Sequence, residues 1–169
     1  MENTSIFDSY SSLVQDLDNA QSTIRSFCSR FRDAQRMRQV RRETNPVHDE
    51  LENISRLMGR YDSEFLDVAD SLSDVVAEQI CGAMASCQTL FVKVAELFSN
   101  DTGTRLNSRN IGGNIQQSSS RAGQIPTWSN NSRAELSRLL RSLHGHHSVL
   151  EFALSAAELY ENLPFRNLD

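Results

Sequence analysis

Tyr10, Leu13, Leu17, Ala20, Ile24, Phe27, Phe31 and Ala34 follow one another at alternating spacings of three and four residues. A strand needs a period of two, so this rhythm predicts a long amphipathic helix with one face buried against near-parallel neighbours. The expected helix covers residues 5–42. The next stretch, "TNPVHDEL", reads as a helix start. Thr44 or Asn45 can cap, Pro46 suits a first helical position, and Asp49, Glu50 and Glu52 complement the positive end of a helix dipole.

A second helical run is expected over residues 46–98. It carries Val47, Leu51, Ile54, Met58, Tyr61, Phe65, Val68, Leu72 and Val75, then Val76, Ile80, Ala83, Cys87, Leu90, Val94 and Leu97. Gly59, or the polar "YDS" around Asp62, breaks it or leaves it whole; both arrangements stay open. Ala85, Phe91, Ala95 and Phe98 put apolar residues on further faces, which places this part in the middle of a bundle. Glu78, Gln79, Lys93 and Glu96 interrupt the segment, so it reads as a core helix and not as a membrane span.

Residues 99–131 are rich in Ser, Asn, Gly and Gln and keep no apolar period. They read as a long flexible connection pinned near its end by Trp128. Ser132 and Glu135 form a capping box for a last helix over residues 132–162, and Pro164 marks its end. With 169 residues the chain suits one domain. The expectation is all-α: an antiparallel bundle of about four long helices with one long flexible connection.

Three cysteines without a CxxC pair, and an opening that is acidic and polar, suit a reduced intracellular setting, taken as cytoplasmic. GxSxG, GxxxxGK[ST] and GxGxxG are absent from the sequence. No cofactor is expected, and the chain reads as non-enzymatic. Its most suggestive residues are the histidines of the last helix. His146 falls on the seam formed by Leu136, Leu139, Leu143, Leu150, Ala153, Ala157 and Tyr160, with His147 beside it and His144 turned outward. His144 and His147 have the spacing of a helical metal pair, but no HExxH surrounds them. They are read as structural, with metal binding as the alternative.

A second apolar line leaves the seam of the same helix: Phe152, Ala156, Leu159 and Leu163. Two apolar faces need two coverings. Another helix of this chain, or a partner, must supply the second. The partner can be a second copy, another protein, or a region that follows in a longer chain.

Charge is also uneven. Residues 25–42 hold seven arginines against Asp33, and residues 43–78 hold ten acids against Arg56 and Arg60. Arg25, Arg32 and Arg36 point away from the first seam, and Arg38, Arg41 and Arg42 crowd the expected helix end. The intramolecular reading places positive charge at a helix C-terminus beside the acids of an antiparallel neighbour. The alternative is an anionic membrane surface or an acidic protein partner. Nucleic acid is not expected, because the net charge is −5 and aromatic interleaving is missing.

"LLRSLHGHHSVLEFALSA", residues 139–156, resembles the closing helix of a fungal N-terminal helical domain. That domain heads many STAND/NLR-like proteins and the azaphilone-pigment cluster protein L. Leu140, Leu143, Leu150, Ala153 and Leu154 fit its leucine pattern, with His147 where the family usually has lysine. "CQTLFVKVAELF" from Cys87 resembles its central helix. The family's small-residue apolar opening helix is absent here. The resemblance implies a non-catalytic signalling or interaction module, normally fused to a nucleotide-binding or repeat region. The alternatives are an accessory protein of a secondary-metabolite gene cluster and a structural helical oligomer.

Overall fold

The computed structural model describes residues 5–61, 74–100 and 128–161. Four helices make up nearly all of this: α1 (Ile6–Ser29), α2 (Ala34–Met58), α3 (Asp74–Asn100) and α4 (Asn130–Glu161). Among the described residues there is no strand. The protein is an all-α four-helix bundle.

The first seam behaves as its spacing predicts as far as Phe27. Leu13, Leu17, Ala20, Ile24 and Phe27 are fully buried, and Ser5 caps α1 by accepting from the Phe7 amide at 3.1 Å. The expected single helix over residues 5–42 is not what forms. The chain turns at residues 30–33, and Asp33 caps α2 with its carboxylate, accepting from the Gln35 amide at 2.8 Å. Phe31 sits in the corner and stays buried, which is why the apolar rhythm runs through the turn without a visible break. Ala34, the last member of the expected seam, is exposed.

The expected start at Thr44–Pro46 is displaced for the same reason. Thr44 is buried inside α2, where its hydroxyl lies 3.5 Å from the Cys28 thiol and 3.4 Å from the Arg41 carbonyl. Pro46 is a helix-interior residue. It brings no N–H for the carbonyl of Arg42, four residues back. Pro46→Ala is therefore expected to stabilise the protein by about 1–3 kcal/mol, as alanine restores that bond. Urea unfolding measures this. An unchanged or lower midpoint would mean that the Thr44–Cys28 contact needs the bend proline imposes.

The break near 59–63 is real. Gly59 ends α2, and the turn continues through amide bonds of Arg60 to Leu57 and Tyr61 to Met58. Phe65, Val68 and Leu72 lie outside the described residues, as does most of the 99–131 connection. In α3, Ile80, Ala83, Cys87, Leu90 and Val94 are buried on the expected line, joined by Phe91, Ala95 and Phe98. Val75, expected on the seam, is 64% exposed. Burial pushes the Cys87 thiol up to about 12, so it acts as a small apolar group. By length and mean hydropathy (1.3 over its most apolar window) α3 is also apolar enough to cross a membrane. Here it is packed against α1 and α4.

The helices form a ring in the order α1, α2, α4, α3. Successive helices in each packed pair run antiparallel. Cys28 meets Thr44 while the Tyr10 hydroxyl donates to the Met58 carbonyl at 3.1 Å. Burial raises that phenol above its ordinary value. The lateral neighbours run in the same sense. Ser9 contacts Cys81, the Gln88 amide donates to both Ser12 and Asp16 at 2.7 Å, and Phe27 meets Phe98.

Trp128 closes one end. It stacks on Phe98 with centroids 5.5 Å apart, touches Phe27, and donates its indole N–H to Glu43 of α2. The N-cap of α4 is Ser129, whose hydroxyl accepts from the Ser132 amide at 3.0 Å, and not Ser132 as its capping-box sequence predicts. Glu135, the expected partner in that box, pairs with Arg138 at 3.0 Å, and Arg133 reaches across to Glu43 at 2.8 Å.

Candidate docking site

Two places on α4 carry the residues singled out from the sequence. The first faces α2. Glu50 is only 4% exposed. His147 Nδ1 hydrogen-bonds to one of its oxygens at 2.7 Å, and His144 Nδ1 lies 3.0 Å from the other. A carboxylate only accepts, so the His147 ring presents its Nδ1–H. His147 is mostly covered, while His144 is 59% exposed. His146 does not reach the core slot expected of it. It is half-buried, with Nδ1 2.8 Å from the Ser142 carbonyl on its own helix.

The helical spacing of His144 and His147 thus serves a carboxylate clasp between α2 and α4. Among the described residues, no group of three or more His, Cys, Asp or Glu is placed to hold a metal ion. In the sequence Glu50 reads only as one of the acids at an expected helix start. Its signal was present in the line Glu43, Val47, Glu50, Ile54 and Leu57, which is the α2 side that faces α4.

The second place is the groove between α3 and α4, with a volume of about 360 Å³. Val76, Ile80, Ala83 and Gly82 supply the α3 wall, and Val149, Phe152, Ala153 and Ala156 the α4 wall. His146, Gln79 and Ser86 complete the lining, which carries no carboxylate, lysine or arginine. Phe152 is 75% exposed and Leu159 71%, with Val75 and Val149 also exposed beside them. Ala156 is half-buried, and Leu163 lies outside the described residues.

This geometry follows from helix periodicity. Leu150, Leu154 and Ala157 take the core side of α4, so positions 149, 152, 156 and 159 are rotated away from it. Gly82, Ala83, Ala153 and Ala156 contribute only small, uncharged side chains to the groove. A Cβ built on Gly82 would meet nothing within 4 Å. The described chain therefore does not require glycine at that point, although glycine in a helix interior costs about 1 kcal/mol against alanine.

Among the described residues, the arginines expected to pair within the chain form no ion pair. Among the described residues, arginine pairs link Arg56 to Glu52, Arg60 to Glu151, Arg133 to Glu43 and Arg138 to Glu135. Arg25, Arg32, Arg36, Arg38, Arg41 and Arg42 take part in none of these, and all are exposed. The expected helix C-terminus beneath them is a helix start instead.

Comparison of the chain with protein-family models, with curated proteins and with solved structures finds no match. Fold and groove define only a class: a four-helix bundle that presents a neutral apolar groove between two of its helices.

Proposed function

We propose that the protein is a non-catalytic interaction module whose α3–α4 groove receives the apolar face of a helix from a protein partner or from a following region of a longer chain. The observation that carries this reading is the exposed line of Val149, Phe152 and Leu159 beside the groove. Large apolar side chains placed side by side along one helix face are the anchor pattern of helix-in-groove recognition. The uncharged lining favours an apolar, uncharged helix face, because a charge brought into it would lose water without gaining a partner. The open space over Gly82 lets a helix backbone approach closely. A signalling role of the kind implied by the closing-helix resemblance fits this class.

The test is a double variant, Phe152→Ser with Leu159→Ser. Exposed substitutions shift stability within about 0.5 kcal/mol, whereas core truncations cost about 2–5 kcal/mol. The midpoint should therefore hold. A fluorescent amphipathic peptide with leucines at i, i+3, i+4 and i+7 should bind the parent protein and bind the variant at least about tenfold more weakly, a difference of about 1.4 kcal/mol. A large stability loss in a protein that sediments as a monomer would make the line part of the core. Concentration-dependent dimerisation lost in the variant would assign the groove to a second copy instead.

A further inference from the structure

The arginine stretch has its own consequence, independent of the groove. The whole chain has seventeen basic and twenty-two acidic residues, and residues 25–42 hold seven of the former and one of the latter. The remainder of the chain therefore carries −11, and this one stretch carries +6. α1 ends at Ser29 and α2 begins at Ala34, so the stretch wraps the corner between them. Arg36 and Arg38 stand in the first two turns of α2, where the helix dipole is positive and disfavours them. The seven are exposed and belong to none of the arginine ion pairs among the described residues. Arg25 reaches only Gln21, and Arg38 only the Ala34 carbonyl.

Like charges crowded at one corner repel, and no observed contact within the described chain offsets this. On α2, Arg38, Arg41 and Arg42 lie away from the face buried through Val40, Thr44 and Val47. The large exposed apolar residues all lie outside residues 25–42. A partner at this corner is thus held by charge alone. The basic residues of the chain are arginine at every position but Lys93, and the guanidinium fork suits phosphate oxygens.

We propose that the arginine corner at the α1–α2 turn docks the protein on the anionic phosphate surface of a lipid bilayer. A bilayer surface already presents many phosphates at once, whereas a flexible acidic peptide would lose its freedom with no exposed apolar anchor at residues 25–42 to compensate. Single-stranded nucleic acid favours exposed aromatic platforms, and Phe27 and Phe31 are buried. The strongly negative remainder turns the molecule corner-first toward the membrane.

Co-sedimentation with vesicles of 30% phosphatidylserine in phosphatidylcholine tests this. Binding at 50 mM NaCl should be lost at 500 mM and absent on pure phosphatidylcholine. Each arginine at the surface contributes roughly fivefold, so Arg38, Arg41 and Arg42 changed together to Gln should weaken partition about a hundredfold. The same three changed to Lys should retain it. Arg25, Arg30 and Arg32 changed to Gln should reproduce the loss from the α1 side, so the result does not rest on one variant folding. The proposal is overturned if the parent ignores anionic vesicles at 50 mM NaCl, or if both Gln variants bind unchanged. It is also overturned if 10 mM inorganic phosphate at matched ionic strength displaces the protein, which would indicate a discrete phosphate pocket. Tighter binding to a 20-base-pair DNA duplex than to the vesicles would assign the corner to nucleic acid.

Discussion

Replacing Phe27 by alanine should destabilise the protein by about 3–5 kcal/mol, the range for removing a buried aromatic side chain. Phe27 is 1% exposed and sits where α1, the α1–α2 corner, α3 and the start of α4 meet. Its ring lies 5.2 Å from Phe31 at the corner, 5.2 Å from Phe98 on α3 and 5.1 Å from Trp128 just before α4. Tilted and edge contacts of this kind add to the burial of area. A void here would be lined by rigid rings on separate segments, which collapse poorly, so the loss belongs in the upper part of the range. Trp128 is the lone tryptophan, and its emission reports the cluster directly. Equilibrium unfolding of Phe27→Ala should show the lower midpoint together with a red-shifted folded-state emission. A loss under about 1 kcal/mol with unshifted emission would show that the cluster is not a keystone of the fold.

Changing His144 and His147 together to alanine should cost about 3 kcal/mol, because the buried Glu50 carboxyl would lose its hydrogen bond from His147 and its neighbour His144. Most of the effect belongs to His147, since His144 is largely exposed and its pairing is screened by water. The distinguishing measurement is a second change. Glu50→Leu added to the double alanine variant removes the uncompensated carboxylate and should recover much of the loss. Histidines that stabilise by packing alone, without the carboxylate, would show no such rescue. Chelators and zinc should leave the parent midpoint unchanged. A chelator-sensitive midpoint would return the histidines to a metal role.

Clasp and groove lie on different sides of α4, and this makes the helix informative. Its α2 side is held by polar contacts, Glu43 with Arg133 and Glu50 with the two histidines. Its α3 side is apolar and, at Val149 and Phe152, unfilled, with Leu159 exposed further along the helix. Breaking the first should destabilise the protein, whereas changing the second should leave its stability nearly unchanged and alter what it binds.

Residue spacing alone determined that this chain is helical. It also selected most of the core, because a buried stripe on a 3.6-residue helix must recur at three and four. Leu13, Leu17, Ile24, Leu51, Ile54, Cys87, Leu143 and Leu150 are all buried as that rule requires. It also marked Phe152 and Leu159 as lying off the α4 seam. Spacing is blind to direction, however. Phe31 kept the rhythm through a turn, so the cap at Asp33 and the helix placement of Pro46 were decided by how α1 folds back on α2. Glu50 is an ordinary surface acid until α4 brings His147 within 2.7 Å of it. The arginines are a cluster on paper, but only the position of the corner shows that no described acid comes near enough to pair with them. Helix periodicity is local and can be read from the chain. Pairing, covering and exposure depend on residues as far apart as Glu50 and His147, and are set only when the helices meet.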